Sequence, residues 1–194
     1  MSLIRSDDGR RGAAVVEFAL IVPLLVLLFV ATAEIVLYMR TRFRLERTAA
    51  EVANVGSQFD SLAPADLDGL FGAAKVIARP VLAWSTGADT GRARTVIGVV
   101  TGSASGNALA WTCSRGDAGL ESHVTGRASL PNGFLVPSGQ SVLVVEVINA
   151  AVPWSIMAKA PPVFFGTPGP GPVRTYAIVR PRTASLTSLG GACP

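Results

Sequence analysis

Few residues in this chain are of a type that does chemistry. His123 is the only histidine, and it stands beside Ser122 in a turn-rich stretch with Asp117 and Glu121 nearby. Nucleophilic catalysis needs a hydroxyl or thiol, a base within reach and a group that orients the base. No GxSxG elbow or other nucleophile signature accompanies Ser122 and His123, so a surface histidine is the expectation. The two cysteines, Cys113 and Cys193, are far apart, lack CxxC spacing and share the chain with that lone histidine, so no metal site is expected. The glycine-rich loops lack GxxxxGK[ST] and give no phosphate cradle. Glu146 lies inside an apolar strand-like run. Strand alternation in a sheet with one wet face would turn it outward. The chain is therefore expected to be no enzyme, with no catalytic residue, metal or cofactor.

The carboxylate that most needs a reason is Glu17. It follows the basic cluster Arg10-Arg11 and the junction Gly12-Ala13, at the head of an apolar run. Phe18 to Ala33 carries no charge, which as a helix is about 24 Å, and Ala13 to Tyr38 is about 39 Å. The longer span crosses a bilayer, with Glu17 and Glu34 near its two boundaries. Pro23 inside the run removes one helical hydrogen bond, which membrane helices tolerate. Hydrophobicity alone leaves alternatives open. One is a secretory signal peptide, with Ala31-Thr32-Ala33 as the cleavage site before Glu34. Against it, Ile35, Val36, Leu37 and Tyr38 continue the apolar pattern. Another is a plain single-span anchor, which leaves Glu17 and the Gly12-Ala13 junction as accidents. Arg5, Arg10 and Arg11 precede the run while Arg40, Arg42, Arg44 and Arg47 follow it, so flanking charge does not choose an orientation.

Whole-chain totals agree with one folded domain behind an apolar segment. There are 194 residues and a formal net charge of +4, with 49% hydrophobic and 15% charged residues. That is no disordered polyelectrolyte. The arginines flank the apolar run, and no basic stripe interleaved with aromatics appears, so nucleic acid is not an expected partner. If the region beyond the run lies outside the cytoplasm, Cys113 and Cys193 pair; otherwise they are two separate buried thiols.

Periodicity then supplies the elements. A single helix from about 13 to 55 continues past Tyr38 as an amphipathic stretch until Gly56. Ser61 to Asp66, with Pro64, starts a second helix that ends before Pro80. Thr95–Val100 reads as a strand, Ser103–Asn107 as a turn and Ala108–Cys113 as the hairpin partner. Gly116 to Pro137 is irregular, Gln140–Ile148 is the most apolar strand and should be central, and Gly166–Pro172 is an exposed loop. Val173–Val179 is the last strand. Helices first and strands after predict an α+β fold with an antiparallel sheet.

The run Arg10-Arg11-Gly12-Ala13-Ala14-Val15-Val16-Glu17-Phe18-Ala19-Leu20-Ile21-Val22-Pro23-Leu24-Leu25 resembles the N-terminus of the TadE-like pseudopilins of tight-adherence (Flp, type IVb) pilus systems. Asp66-Leu67 through Pro80, Val145-Glu146-Val147 followed by Pro153, and Arg180-Pro181-Arg182 resemble the body of the same family. The tyrosine-rich text usual after Val-Glu-Val is replaced by Ile148-Asn149-Ala150-Ala151. The resemblance implies that a prepilin peptidase cuts between Gly12 and Ala13, making Glu17 the fifth residue of the mature chain. Residues 1–12 would be a cytoplasmic leader, 13–57 the N-terminal helix and 58–194 an extracytoplasmic domain. Glu17 and Phe18 would serve assembly, Glu17 neutralising the Ala13 amine of a neighbouring subunit. Phe18 stands where major Flp pilins carry tyrosine, which implies an accessory subunit. The implied setting is the bacterial inner membrane, single-pass, with the domain in the periplasm. The implied partners are the peptidase, other pilins and pseudopilins, the inner-membrane assembly platform and the lipid bilayer.

Overall fold

A computed structural model of the chain describes residues 8–79, 93–124, 130–150, 172–182 and 185–194, with side chains from residue 14 onward. Helix α1 runs unbroken from Asp8 to Gly56, across Pro23. Its helical backbone thus extends through residues 8–12, further back than the expected start at 13. Helix α2 spans Pro64–Ile77, with proline at its first turn. Asp66 caps it by accepting the Ala63 amide at 2.9 Å, where a carboxylate also complements the helix dipole.

Four strands follow: β1 (Ala93–Ser103), β2 (Gly106–Gly116), β3 (Ser141–Asn149) and β4 (Val173–Val179). All neighbours are antiparallel, in the order β2-β1-β3-β4. The fold is α+β, as expected, and β3 is an interior strand. The hairpin strands are longer than their apolar centres because pairing continues to Arg94↔Gly116 at one end and Ser103↔Gly106 at the other. Of the expected loop Gly166–Pro172, only Pro172 is described. Pro153, Pro161, Pro162, Pro168 and Pro170 also fall outside the described residues.

The outer half of α1 packs on one face of the sheet. Leu45, Ala49, Val52 and Ala53 recur at helical spacing, and all are buried. They meet Leu67, Leu70, Phe71 and Ala74 of α2, Ile97 and Val99 of β1, and Leu143, Val145 and Val147 of β3. A second cluster lies on the opposite face, where Val100, Val142 and Val144 are covered by Val124, Leu130 and Val136. The described parts of the segment between β2 and β3, residues 117–124 and 130–140, therefore act as a lid over that face. Gly102 lets it approach: a Cβ there would lie 2.2 Å from the carbonyl oxygens of Val136 and Pro137. In its absence, Gly102 donates to the Gln140 carbonyl and accepts from the Gly139 amide.

The C-terminal tail is tied back at several points. Trp111 Nε1 donates to the Leu186 carbonyl at 2.8 Å, and the Gly190 amide donates to Leu62. Cys113 of β2 and Cys193 sit at disulfide distance, Cα to Cα 5.4 Å. Arg182 bonds Ser57 through its amide and Asn54 through its guanidinium, so the late Arg-Pro-Arg clasps the end of α1.

Candidate functional site

The exposed head of α1 is the first candidate. From Ala14 to Phe29 every side chain except Val22 is well exposed, including Phe18 at 67% and Phe29 at 78%. Burying one large apolar side chain is worth roughly 1.5–3 kcal/mol, so a helix bare on all sides belongs in an apolar medium. The span is long and apolar enough to cross a membrane. Glu17 is exposed on this helix. Ala13 lies four positions before it, about one helical turn away along the backbone. The first wholly buried side chain along α1 is Glu34, which has a partner within the chain. It is buried by protein, so its carboxyl group does not face lipid.

A second constellation surrounds Glu146, and here the expectation is overturned. Glu146 is fully buried, and every residue of β3 is buried. Both faces of the sheet are covered at β3, so Glu146 has no wet face to turn to. Ser122 donates to its Oε2 at 2.5 Å and the His123 amide to Oε1 at 3.3 Å. Arg174 of β4 lies 3.4 Å away and also donates to the Glu121 carbonyl. Tyr176 pairs opposite Glu146 in the sheet. Burial, and then the Glu146 charge, push its phenol above the ordinary range, with Arg174 partly opposing.

This arrangement is not a catalytic triad. Ser122 is committed to a carboxylate rather than to an imidazole, and its oxygen accepts the Val124 amide. His123 is exposed, and its ring meets Tyr176 edge-on at 6.4 Å. Asp117 turns to the Gly119 amide instead. Among the described residues no cluster of His, Cys, Asp or Glu could hold a metal ion. The buried carboxylate ties the 117–124 segment to the sheet. One signal for it was legible: a single acid in an otherwise apolar strand needs either a wet face or partners.

A third feature lies where α1 leaves the apolar span. An open groove of about 990 Å³ runs along α1 and reaches Ile77 at the end of α2. Arg40, Arg44 and Arg47 line it beside Val36, Met39 and Phe43.

The architecture is thus a membrane-length helix carrying Glu17 near its head and a disulfide-linked α+β domain at its far end. Residues 12–54 match the model of the family described as TadE-like protein. The matched stretch is α1 from the Gly12-Ala13 junction almost to its end, and the resemblance seen in the sequence holds there. The match supports a part in tight-adherence pilus systems, alongside other pilus components, and α1 is compatible with single-pass anchoring in a membrane. No curated protein and no solved structure matches the chain.

Proposed function

We propose that this chain is a minor pseudopilin of a tight-adherence pilus, made with a leader of residues 1–12 that a prepilin peptidase removes between Gly12 and Ala13. The helix holds the mature subunit in the inner membrane, and the domain from residue 58 onward stands in the periplasm. It is a structural subunit and a peptidase substrate, with no reaction of its own. The observation that carries the reading is the spacing of Gly12, Ala13 and Glu17 at the head of a helix whose apolar surface is bare.

Cleavage leaves a positive α-amino group on Ala13. Glu17 of a neighbouring subunit, displaced along the bundle, supplies the opposite charge. Each charge alone is costly beside hydrocarbon, whereas the pair satisfies both. Bare helix faces then pack together, as membrane helices do when shape allows. Phe18 adds an apolar ring to that surface without a hydroxyl.

Mass spectrometry of the mature chain from its native host tests this. A chain beginning at Ala13 supports peptidase trimming. A chain beginning at Glu34 would mean signal-peptidase release, and an intact Met1 end a plain anchor; either replaces the pseudopilin reading with a β-rich extracytoplasmic binding domain.

A further inference from the structure

We propose that the groove between α1 and the end of α2 is a binding site for one anionic phospholipid of the leaflet on the domain side. Its phosphodiester sits among Arg40, Arg44 and Arg47, and one acyl chain lies along Val36 and Met39. The inference rests on α1 spanning a bilayer, as argued above, and goes beyond it by assigning a ligand.

The groove residues share one helix face. Positions 36, 40, 43 and 47 follow the three-and-four spacing that aligns side chains along a helix, and 39 and 44 flank them. Val36 and Met39 lie toward the membrane end of the groove and the three arginines beyond them, with Phe43 between Arg40 and Arg44. At 1.5 Å per residue, Arg40 lies about 3 Å and Arg44 about 9 Å past Tyr38, the end of the apolar run. The headgroup zone of a bilayer is roughly 5–7 Å deep on each side, so Arg40 lies at phosphate level. Arg44 and Arg47 are higher and reach down by their long stems. Toward the membrane the groove wall is apolar and exposed at Ile35 and Val36, the side from which a lipid chain enters.

The charges there are open to a ligand. Among the described residues Arg40 has no ion pair, and Arg44 spends one nitrogen on the Arg79 carbonyl. Arg47 meets Glu51 only at 3.6 Å, with its side chain 76% exposed. Arg42 differs: it is bonded to Glu46 at 2.8 Å and does not line the groove. Three arginines against the single carboxylate of Glu51 leave the described lining with a charge of +2. Guanidinium forks match phosphate oxygens in geometry as well as charge. A bound phosphodiester also answers a problem of topology. Four arginines follow the span on the side where the proposed orientation places few, and a lipid phosphate supplies their counter-charge.

The test uses the full chain in membranes, exchanged into nanodiscs of phosphatidylglycerol with phosphatidylcholine, then released for native mass spectrometry. The expected result is one phosphatidylglycerol retained per chain in preference to phosphatidylcholine. Arg40→Gln with Arg47→Gln leaves the Arg44 bond in place and should weaken retention by about fivefold per removed guanidinium. Arg42→Gln should leave it unchanged. Equal retention of the two lipids, loss with Arg42→Gln alone, or a lipid-free dimer held through this face overturns the site. A chain recovered in the soluble fraction overturns both this proposal and the membrane reading, whereas a membrane-bound chain without lipid preference overturns this proposal alone.

Discussion

Ser122 donates its hydroxyl across 2.5 Å to the carboxylate of Glu146, joining a loop after β2 to the middle of β3. The acid lies on the face of the sheet away from α1 and α2, the face that Val124, Leu130 and Val136 cover. Together with the His123 amide and Arg174, it converts an irregular stretch of chain into a fixed layer. A buried carboxylate with several donors holds geometry, and it becomes a liability once a partner is lost.

Glu146→Ala should therefore destabilise the domain by about 2–4 kcal/mol, because it strips Arg174 of its ion pair and leaves the Ser122 hydroxyl without its acceptor. Glu146→Gln, which keeps shape and one acceptor, should cost less. Glu51→Ala, removing an exposed pair, should change stability by less than about 1 kcal/mol. Denaturant midpoints of the three variants order these effects. A Glu146→Ala chain as stable as wild type would remove the carboxylate from its structural role.

Tyr176 carries the pH signature of the same cluster. Its folded pKa is raised above 10.0, first by burial and then by the Glu146 charge. A raised folded pKa contributes stability that is present below the unfolded value and is lost as pH climbs through the folded one. Stability should thus fall above about pH 10. The chain has two tyrosines, so in a Tyr38→Phe background the phenolate absorbance reports Tyr176 alone. The midpoint should exceed that of the unfolded chain in denaturant, and Glu146→Gln should lower it. A midpoint equal to the unfolded one would contradict the burial described here.

Much of this architecture was legible because it is periodic. Leu45 and Val52 announce a helix face, and Val173 to Val179 a strand. Ser61 to Asp66, with Pro64, announces the start of α2, while the Asp66 bond to the Ala63 amide emerged only from the structure. The role of the 117–140 segment was not legible, since a lid held by backbone hydrogen bonds at Gly102 and by one buried acid has no period. That omission also explains the misplacement of Glu146. The alternation rule assumes one solvated face, and only the fold shows that both are covered. At the membrane end, the Gly12-Ala13-Glu17 spacing was plain in the sequence. The groove needed α2 to be placed beside α1 before Arg40, Arg44 and Arg47 had a common setting.

The Cys113–Cys193 pair closes a loop with a sequence separation of 80. In the chain-entropy model such a closure stabilises by about 4–5 kcal/mol. Cys113→Ala with Cys193→Ala should lower stability by up to that amount. The tail should nevertheless stay partly docked, because Trp111 and Leu62 still hold Leu186 and Gly190. Non-reducing mass mapping should find the two cysteines linked in protein taken from native membranes. Free thiols in that protein would argue against an oxidising location for the domain.

Gly12→Val places a branched side chain at the proposed scissile junction. Trimming should be lost, leaving a chain heavier by residues 1–12, while membrane insertion through α1 continues. Immunoblots of wild type and variant, read against a strain lacking the peptidase, distinguish the two forms. Normal processing of the variant would move the cut away from Gly12-Ala13.

Glu17→Ala tests assembly apart from processing. Glu17 is exposed on α1 and makes no ion pair among the described residues, so its removal should leave the fold unchanged. Insertion should be as good or better, since a charged side chain at the head of an apolar helix opposes it. Association should suffer, because the amine on Ala13 of the neighbouring subunit then has no counter-charge in lipid. In the native host the variant should be trimmed and membrane-bound but should fall in crosslinked complexes with other pilus subunits by tenfold or more, for a lost pairing of roughly 1.4 kcal/mol or greater. Glu17→Gln should show most of the same loss, since the amide keeps the size and polarity of the side chain without its charge. If Glu17→Gln assembles normally while Glu17→Ala does not, a hydrogen bond rather than a charge pair sets the contact. If both assemble normally, the carboxylate has no part in packing the helices.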